Sequence, residues 1–408
     1  MEKSKKKNSV KKKIVIFIPE FPVLTETFIQ RDIVKLVELG SLDVSVVCLK
    51  IGKANLDESL KDLVFEARLS PLKSLVSLKY FVTKKDEIKR IKDLLKEDEG
   101  SGVKKFYLLI KSLGYASILG SYNPDELHIH FYSDFSSIGM FASIILGIPF
   151  SVNAHARDVF EYPHLPKAKG KLAKFIAICN NRAHKHCIDI SEVGEEKIHL
   201  IYHGIDPKTI FLETKKGEKG DTPTIFMGGT RITEKKGIEY MIEASRILKD
   251  RGIKHRVALI GVGDKYSELE EMIKEKDLED VFFLHGGGKG LPFSEVSKFL
   301  FSSDIFALPI IQTKAGDSDG IPNVIIEAAL AKLPIVTTNA GSVSELIKND
   351  ETGVVVPQKD SETLATEIEK LLFDEEKKKR ISQAAYEKAL EMFDAETNVK
   401  RLETLLRQ

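Results

Sequence analysis

Asp319-Gly320-Ile321-Pro322-Asn323-Val324-Ile325-Ile326-Glu327 is followed by Ala328-Ala329-Leu330-Ala331 and then by the apolar run Pro334-Ile335-Val336-Thr337-Thr338. A glycine-bearing turn opens a short helix here, and the helix feeds a β-branched strand. Helix leading into buried strand is the unit of a parallel sheet covered on both faces. A helix N-terminus leaves backbone N–H groups free and carries partial positive charge, so it can hold an anion. Asp319 and Glu327 would accept hydrogen bonds from hydroxyls. A ligand with both a diphosphate and sugar hydroxyls suits such a site. An acid in a turn plus a glutamate in a helix is also a common coincidence, so the rest of the chain decides.

The rest repeats the same rhythm. Strands are expected at residues 13–18, 44–48, 126–130, 150–153 and 175–179. Between the first two, Thr25 can cap a helix whose stripe of Phe28, Ile29, Ile33, Leu36 and Val37 stops at Gly40. A second alternating run has strands at 225–227, 256–260, 281–284, 305–308 and 334–337. The expected organisation is a basic arm at 1–12, a first domain at 13–210, a linker at 211–222, a second domain at 223–390 and a final helix at 391–408. Residues 71–120 break the rhythm with two basic amphipathic stretches, expected as a helical insertion. These helices either face the core with solvated lysines or form a surface for a lipid-linked acceptor. Two doubly wound, Rossmann-like α/β domains would each present the carboxyl ends of their strands to a central cleft.

Composition narrows the function. The 408 residues carry a net charge of +1, which argues against a dedicated nucleic-acid binder. Cys48, Cys179 and Cys187 are too few for a disulfide framework or a zinc site, so buried thiols in a reducing cytoplasm are expected. No apolar run approaches the roughly 20 residues of a membrane span, and no secretory signal is visible. Lys3, Lys5, Lys6, Lys7, Lys11 and Lys12 make the arm strongly basic. It is either a solvated tail or a contact with an anionic membrane surface, worth about 1 kcal/mol per lysine near the headgroups. The expected location is cytoplasmic, with peripheral contact to the inner face of the membrane as an option.

Several stretches carry candidate chemistry. Gly228-Gly229-Thr230-Arg231 through Lys236-Gly237 follows the first strand of the second domain. Glycines let backbone approach a phosphate, Arg231 offers a planar fork and Lys236 a point charge. No Ser or Thr follows a Gly-Lys pair at P-loop spacing. Asp317-Ser318-Asp319 has the form of an Asp-x-Asp metal motif. The preferred assignment leaves the metal out, because cations already face the phosphate. His155 runs off a strand end, where it would face the cleft, and Asp158 can bond locally or orient it. His128 and His130 alternate on one face of a strand; an acceptor-side role is assigned to His130 and none to His128. Glu26 either favours a helix N-terminus or meets the acceptor. Gly261-Val262-Gly263 and Gly286-Gly287-Gly288 end two strands, and Tyr266 stands where a dinucleotide fingerprint needs its third glycine.

Together these stretches resemble the retaining GT-B glycosyltransferases, family 4 in particular. The two-acid signature of that family spaces two glutamates as Asp319 and Glu327 are spaced, with an aspartate here in the first place. Other departures are Ala156 within His155-Ala156-Arg157-Asp158, where the family has His-Gly-x-Asp, and Thr230 in place of a glycine before Arg231. His203-Gly204-Ile205-Asp206 stands where relatives often show Asn-Gly-Val-Asp. Thr25-Glu26-Thr27-Phe28 resembles a segment of the branch that builds exopolysaccharides. The resemblance implies hexosyl transfer from a UDP- or GDP-linked sugar to a hydroxyl of a lipid-linked or oligosaccharide acceptor, with retention and without a metal or other cofactor. Arg231 and Lys236 would stabilise the leaving diphosphate, Asp319 would hold donor-sugar hydroxyls, Glu327 the ribose, and His155 would position the sugar. Gly229, Gly261, Gly320, Ile321, Pro322 and Asn323 would line the donor, with Glu26, His130 and Asp158 on the acceptor side. The final helix would cross back to the first domain. A sugar-nucleotide epimerase of the same architecture and a non-catalytic sugar-nucleotide binder remain alternatives.

Overall fold

The computed structural model describes residues 11–23, 26–69, 77, 79–211, 220–263, 265–314, 318 and 320–408. The chain divides into two compact units, residues 1–205 with 395–408, and residues 206–394. The division falls at 205/206, ahead of the expected linker at 211–222. Ile205 is still packed in the first unit at 2% exposure, so the chain leaves that core only afterwards.

The first unit is built on seven strands: β1 (Lys12–Phe21), β2 (Leu42–Ile51), β3 (Val64–Glu66), β4 (Glu126–His130), β5 (Phe150–Ala154), β6 (Ile176–Ile178) and β7 (Ile198–Leu200). Their order is β3-β2-β1-β4-β5-β6-β7, and every pairing is parallel. Successive side chains of a strand point to opposite faces, and β1 shows the result. Val15 and Phe17 join a core that includes Leu108, Leu113 and Phe141. Ile14, Ile16 and Ile18 join the opposite core with Ile29, Ile33 and Leu36 of the helix Thr27–Leu39. That helix ends at Gly40 in the left-handed conformation, as expected. Its N-cap is Glu26; Thr25, the expected cap, lies outside the described residues.

One placement differs from the sequence reading. Lys12, assigned to the arm, opens β1, and its Nζ reaches Glu126 at 2.8 Å. Glu126 is fully buried, and Lys174 approaches it at 2.8 Å from another side. A buried carboxylate needs such partners, and this requirement draws Lys12 out of the arm. The helices Lys79–Thr83, Lys85–Leu94 and Gly102–Gly120 pack on the first core through Ile88, Ile91, Leu108, Leu109 and Leu113, the core-facing of the two readings of this segment. The helix Ala395–Arg407 covers the other face, with Val399, Leu402 and Leu406 buried beside Ile29 and Ile33.

The second unit has six strands: β8 (Thr224–Arg231), β9 (Arg256–Val262), β10 (Phe282–His285), β11 (Ile305–Leu308), β12 (Ile335–Thr338) and β13 (Val354–Val356). Their order is β10-β9-β8-β11-β12-β13, again parallel. In each sheet the strand order reverses at one place, between β1 and β4 and between β8 and β11. Ligands of open α/β sheets bind outside the carboxyl ends of strands at such places.

Candidate active site

In the first unit the carboxyl ends of β4, β5 and β7 carry His130, His155 and His203. His155 is 7% exposed, and its backbone N–H donates to Asp158 Oδ1 at 2.8 Å. Asp158 also accepts a short bond from the backbone N–H of Tyr132. Burial raises its pKa to about 7 against these donors. Asp158 therefore holds the main chain on both sides of the site and fixes where His155 leaves β5. The imidazoles of His130 and His155 stack with centroids 5.7 Å apart. Burial pushes both rings well below the ordinary histidine pKa, helped by neighbouring histidines, so both are neutral near pH 7. His128 bonds to Ser151 Oγ at 2.9 Å, and Ser151 donates to Glu126 at 2.7 Å. That chain leads into the buried ionic cluster, in keeping with no site role for His128.

The helix Thr27–Leu39 packs against this histidine cluster. The Phe28 ring lies 5.3 Å from His155 and 4.1 Å from His203. Asp32, one turn on, contacts His203 Nδ1 at 3.0 Å. Glu26 precedes these residues as the N-cap. Sequence reasoning missed Asp32, Cys179 and the role of His203. Phe28 and Asp32 are four residues apart and so share a helix face, a spacing that could have flagged them.

In the second unit the strand ends carry a different set. The pairing of β8 with β9 slips between Met227 and Thr230, a bulge at Gly228-Gly229 that redirects the strand before Arg231. Arg231 is exposed, whereas Lys236 is 7% exposed in a single 3-10 turn, Glu234–Lys236. Gly237 then opens the helix Ile238–Asp250. Gly261 ends β9 beside Thr230 in the sheet. The helix Asn323–Leu330 begins after Pro322, which gives no side-chain cap, and the Ile325 N–H donates to the Pro322 carbonyl at 2.9 Å; the first N–H groups of a helix are where an anion can bind. The Gly320 carbonyl accepts from Ser342 N–H at 3.1 Å, anchoring the turn that also carries Ile321. Glu327 lies in the second turn of that helix and is half-buried. Asp317 and Asp319 lie outside the described residues. Among those described, one group of side chains has atoms close enough to converge on a metal ion: His155, Cys179 and His203, within 4.8 Å of one another. A hydrogen bond between the two rings and the Asp32 contact already account for how these imidazoles are placed.

Residues 210–388 match the family described as glycosyl transferases group 1. The amylovoran biosynthesis glycosyltransferase AmsK of Erwinia amylovora is 27% identical over 86% of this chain and 89% of its own length. WcaL of Escherichia coli K12, named for colanic acid biosynthesis, is 25% identical over 87% and 89%. The chain has the GT-B fold, and along most of its length it is similar to these glycosyltransferases. Its fold superposes on the crystal structure of Anabaena HepE in complex with UDP and glucose with a TM-score of 0.65, covering 96% of this chain and 99% of that one at 16% identity. The family match spans the six-stranded sheet, where Arg231, Lys236 and the 323–330 helix terminus lie.

Proposed function

We propose that this protein transfers a hexosyl group from a UDP- or GDP-sugar to an acceptor hydroxyl with retention of anomeric configuration. The observation that carries the reading is the second unit's strand-end site. A glycine bulge, an exposed guanidinium, a nearly buried ammonium and an uncapped helix terminus all belong to the edge where such sheets bind ligands. Negative charge grows on the leaving diphosphate as the glycosidic bond breaks. Arg231 and Lys236 would meet that charge already in place, which is where fixed cations lower a barrier. No metal is required, because two cations and a helix dipole supply the compensation. Glu327 would accept from the ribose hydroxyls, Asp319 from the donor sugar, and His155 would hold the sugar. Glu26, His130 and Asp158 would line the acceptor side, Asp158 by fixing the backbone. Attack and departure on the same face of the sugar would give retention.

The names of AmsK and WcaL support a place in exopolysaccharide or cell-surface glycan assembly, with a lipid-linked or oligosaccharide acceptor. A peripheral position at an anionic membrane surface is part of this reading. Val103, Phe106, Tyr107 and Ile110 form one stripe on the helix Gly102–Gly120 and remain 81%, 63%, 54% and 36% exposed. Lys104, Lys105 and Lys111 lie among them, as on interfacial amphipathic helices. Among the described residues no helix is long and apolar enough to cross a membrane.

Incubation with a panel of UDP- and GDP-sugars and a lipid-linked glycan acceptor, followed by product analysis, tests the proposal. An α-linked sugar on the acceptor from an α-linked donor is expected. An altered free donor would point to an epimerase, and binding without turnover to a sugar-nucleotide binder.

A further inference from the structure

We infer that Asp32 and His203 are positioning residues that fix the ring tautomer of His155, through a hydrogen-bonded chain from the Asp32 carboxylate across the His203 ring. The inference rests on the proposed role of His155 at the sugar and deepens it.

His203 Nδ1 lies 3.0 Å from Asp32 Oδ2. A carboxylate accepts, so Nδ1 carries a hydrogen. His203 Nε2 faces His155 Nδ1 at 3.2 Å, and only one hydrogen fits between them. If His203 holds a second proton, it donates to His155 Nδ1, and the proton of His155 must sit on Nε2. If His203 is neutral, His155 donates from Nδ1 and its Nε2 is bare. The charge on His203 therefore decides whether His155 offers a donor or an acceptor. Burial opposes that charge, but Asp32 and Cys179 outweigh it and raise the ring to about 9. The titratable groups around it are Asp32, Cys179 and His155, with His130 one ring beyond. The Phe28 ring covers the two imidazoles on one side. At neutral pH His155 Nε2 is thus an N–H donor. It is buried and has no hydrogen-bond partner among the described residues. A buried donor left without a partner is costly, and a sugar oxygen would satisfy it. The assignment separates this chain from relatives with asparagine at position 203: an amide can donate, but it cannot be switched by pH.

The test is a nitrogen-15 spectrum of the imidazoles in the histidine-labelled full chain, with EDTA present and His155 assigned by loss of its signal in His155→Gln. The wild-type protein should show the Nε2–H form of His155 at neutral pH and convert to the Nδ1–H form with a midpoint near 9. Asp32→Asn keeps an acceptor but removes the charge, and should lower that midpoint by at least about one unit, since each unit corresponds to a tenfold change in the equilibrium. The alkaline limb of kcat should move with it while the donor KM stays. His203→Leu should lower kcat at least about tenfold, the scale of a hydrogen bond to a charged group, and His203→Gln should restore most of that loss without an alkaline limb. An Nδ1–H ring in the wild type at neutral pH, an unmoved midpoint in Asp32→Asn, or ring signals that change when EDTA is omitted would overturn the inference. The spectra of the wild type and Asp32→Asn decide the matter even if His203→Leu does not fold. If no nucleotide sugar is turned over, the proposed function fails while the tautomer is still read, so the two failures are distinguishable.

Discussion

Replacing Gly237 by alanine should damage the second unit far more than the same change at Gly229, although both glycines have nearly equal positive φ, 62° and 68°. Left-handed backbone costs a non-glycine residue roughly 1–2 kcal/mol, and that term is common to both. The surroundings differ. A Cβ at Gly237 would lie 2.0 Å from the carbonyl oxygen of Pro309, main chain at the end of β11 that cannot rotate away. At Gly229 the nearest atoms are Val324 Cγ2 at 3.2 Å and Val296 Cγ1 at 3.3 Å, methyl groups that can yield by a few tenths of an ångström. Relieving the Gly237 clash requires a shift of about 1 Å in the turn that carries Lys236, an overpacking cost of about 1–3 kcal/mol. The expected losses are about 2–5 kcal/mol for Gly237→Ala and about 1–2 for Gly229→Ala. The chain lacks tryptophan, so urea unfolding of the full protein is best followed by far-ultraviolet circular dichroism. UDP and GDP binding, read by thermal shift, should weaken more in Gly237→Ala, because Lys236 moves with the turn. Equal stability of the two variants, or Gly237→Ala within 0.5 kcal/mol of wild type, a loss too small for overpacking, would refute the steric argument.

Lys236→Ala should lower transfer by about two to three orders of magnitude, the scale of a lost electrostatic contact in the transition state; full turnover after losing both Arg231 and Lys236 would remove the diphosphate assignment. Activity should survive exhaustive EDTA treatment, and loss reversed by magnesium or manganese would return Asp317 and Asp319 as metal ligands. Co-sedimentation with phosphatidylglycerol vesicles should be salt-sensitive, because exposed charges are screened beyond about 8 Å at physiological salt. It should weaken in Phe106→Ser/Tyr107→Ser and on deletion of residues 1–10, a cut that spares Lys12 and its bond to Glu126; equal binding to neutral vesicles would eliminate the electrostatic component. Stability should peak near pH 6.5. The raised pKa of His203 supplies stabilisation that is complete below its unfolded value and lost between 6.5 and about 9, up to about 3 kcal/mol. The depressed rings of His128, His130 and His155 supply stabilisation that is lost as pH falls below 6.5. Chemical denaturation from pH 5 to 9.5 reads both limbs, and His203→Gln should flatten only the alkaline one.

The elements legible in the sequence are those whose signal is local. β1 is centred on the apolar run from Ile14 to Ile18, the 27–39 helix has a five-residue apolar stripe, and Gly40 stops that helix by a conformation that favours glycine. β3 is only three residues long and exists because Val46 pairs with Val64, a contact no local pattern announces. Lys12 reads as one more lysine in a basic arm until the buried Glu126, more than a hundred residues away, draws it into the sheet. The candidate site divides the same way. His155 was visible because it follows a strand, and Arg231 and Lys236 because glycines surround them. Asp32 and His203 lie 171 residues apart, one on the helix after β1 and the other on the segment after the edge strand β7, so only the tertiary fold brings them together.

The helix Ala395–Arg407 also bears on how the protein is made. Residues 395–407 complete the core over β1 and β2, and the Leu406 carbonyl accepts from Lys12 Nζ at 2.6 Å. A ribosome synthesises the whole second unit between the first sheet and the helix that covers it. During that interval Ile29, Ile33 and Leu36 lack their lid, so the nascent first unit exposes an apolar face. The chain should therefore engage a holdase chaperone late in translation, and a ribosome stalled near residue 390 should carry a first unit more protease-sensitive than that of the released chain.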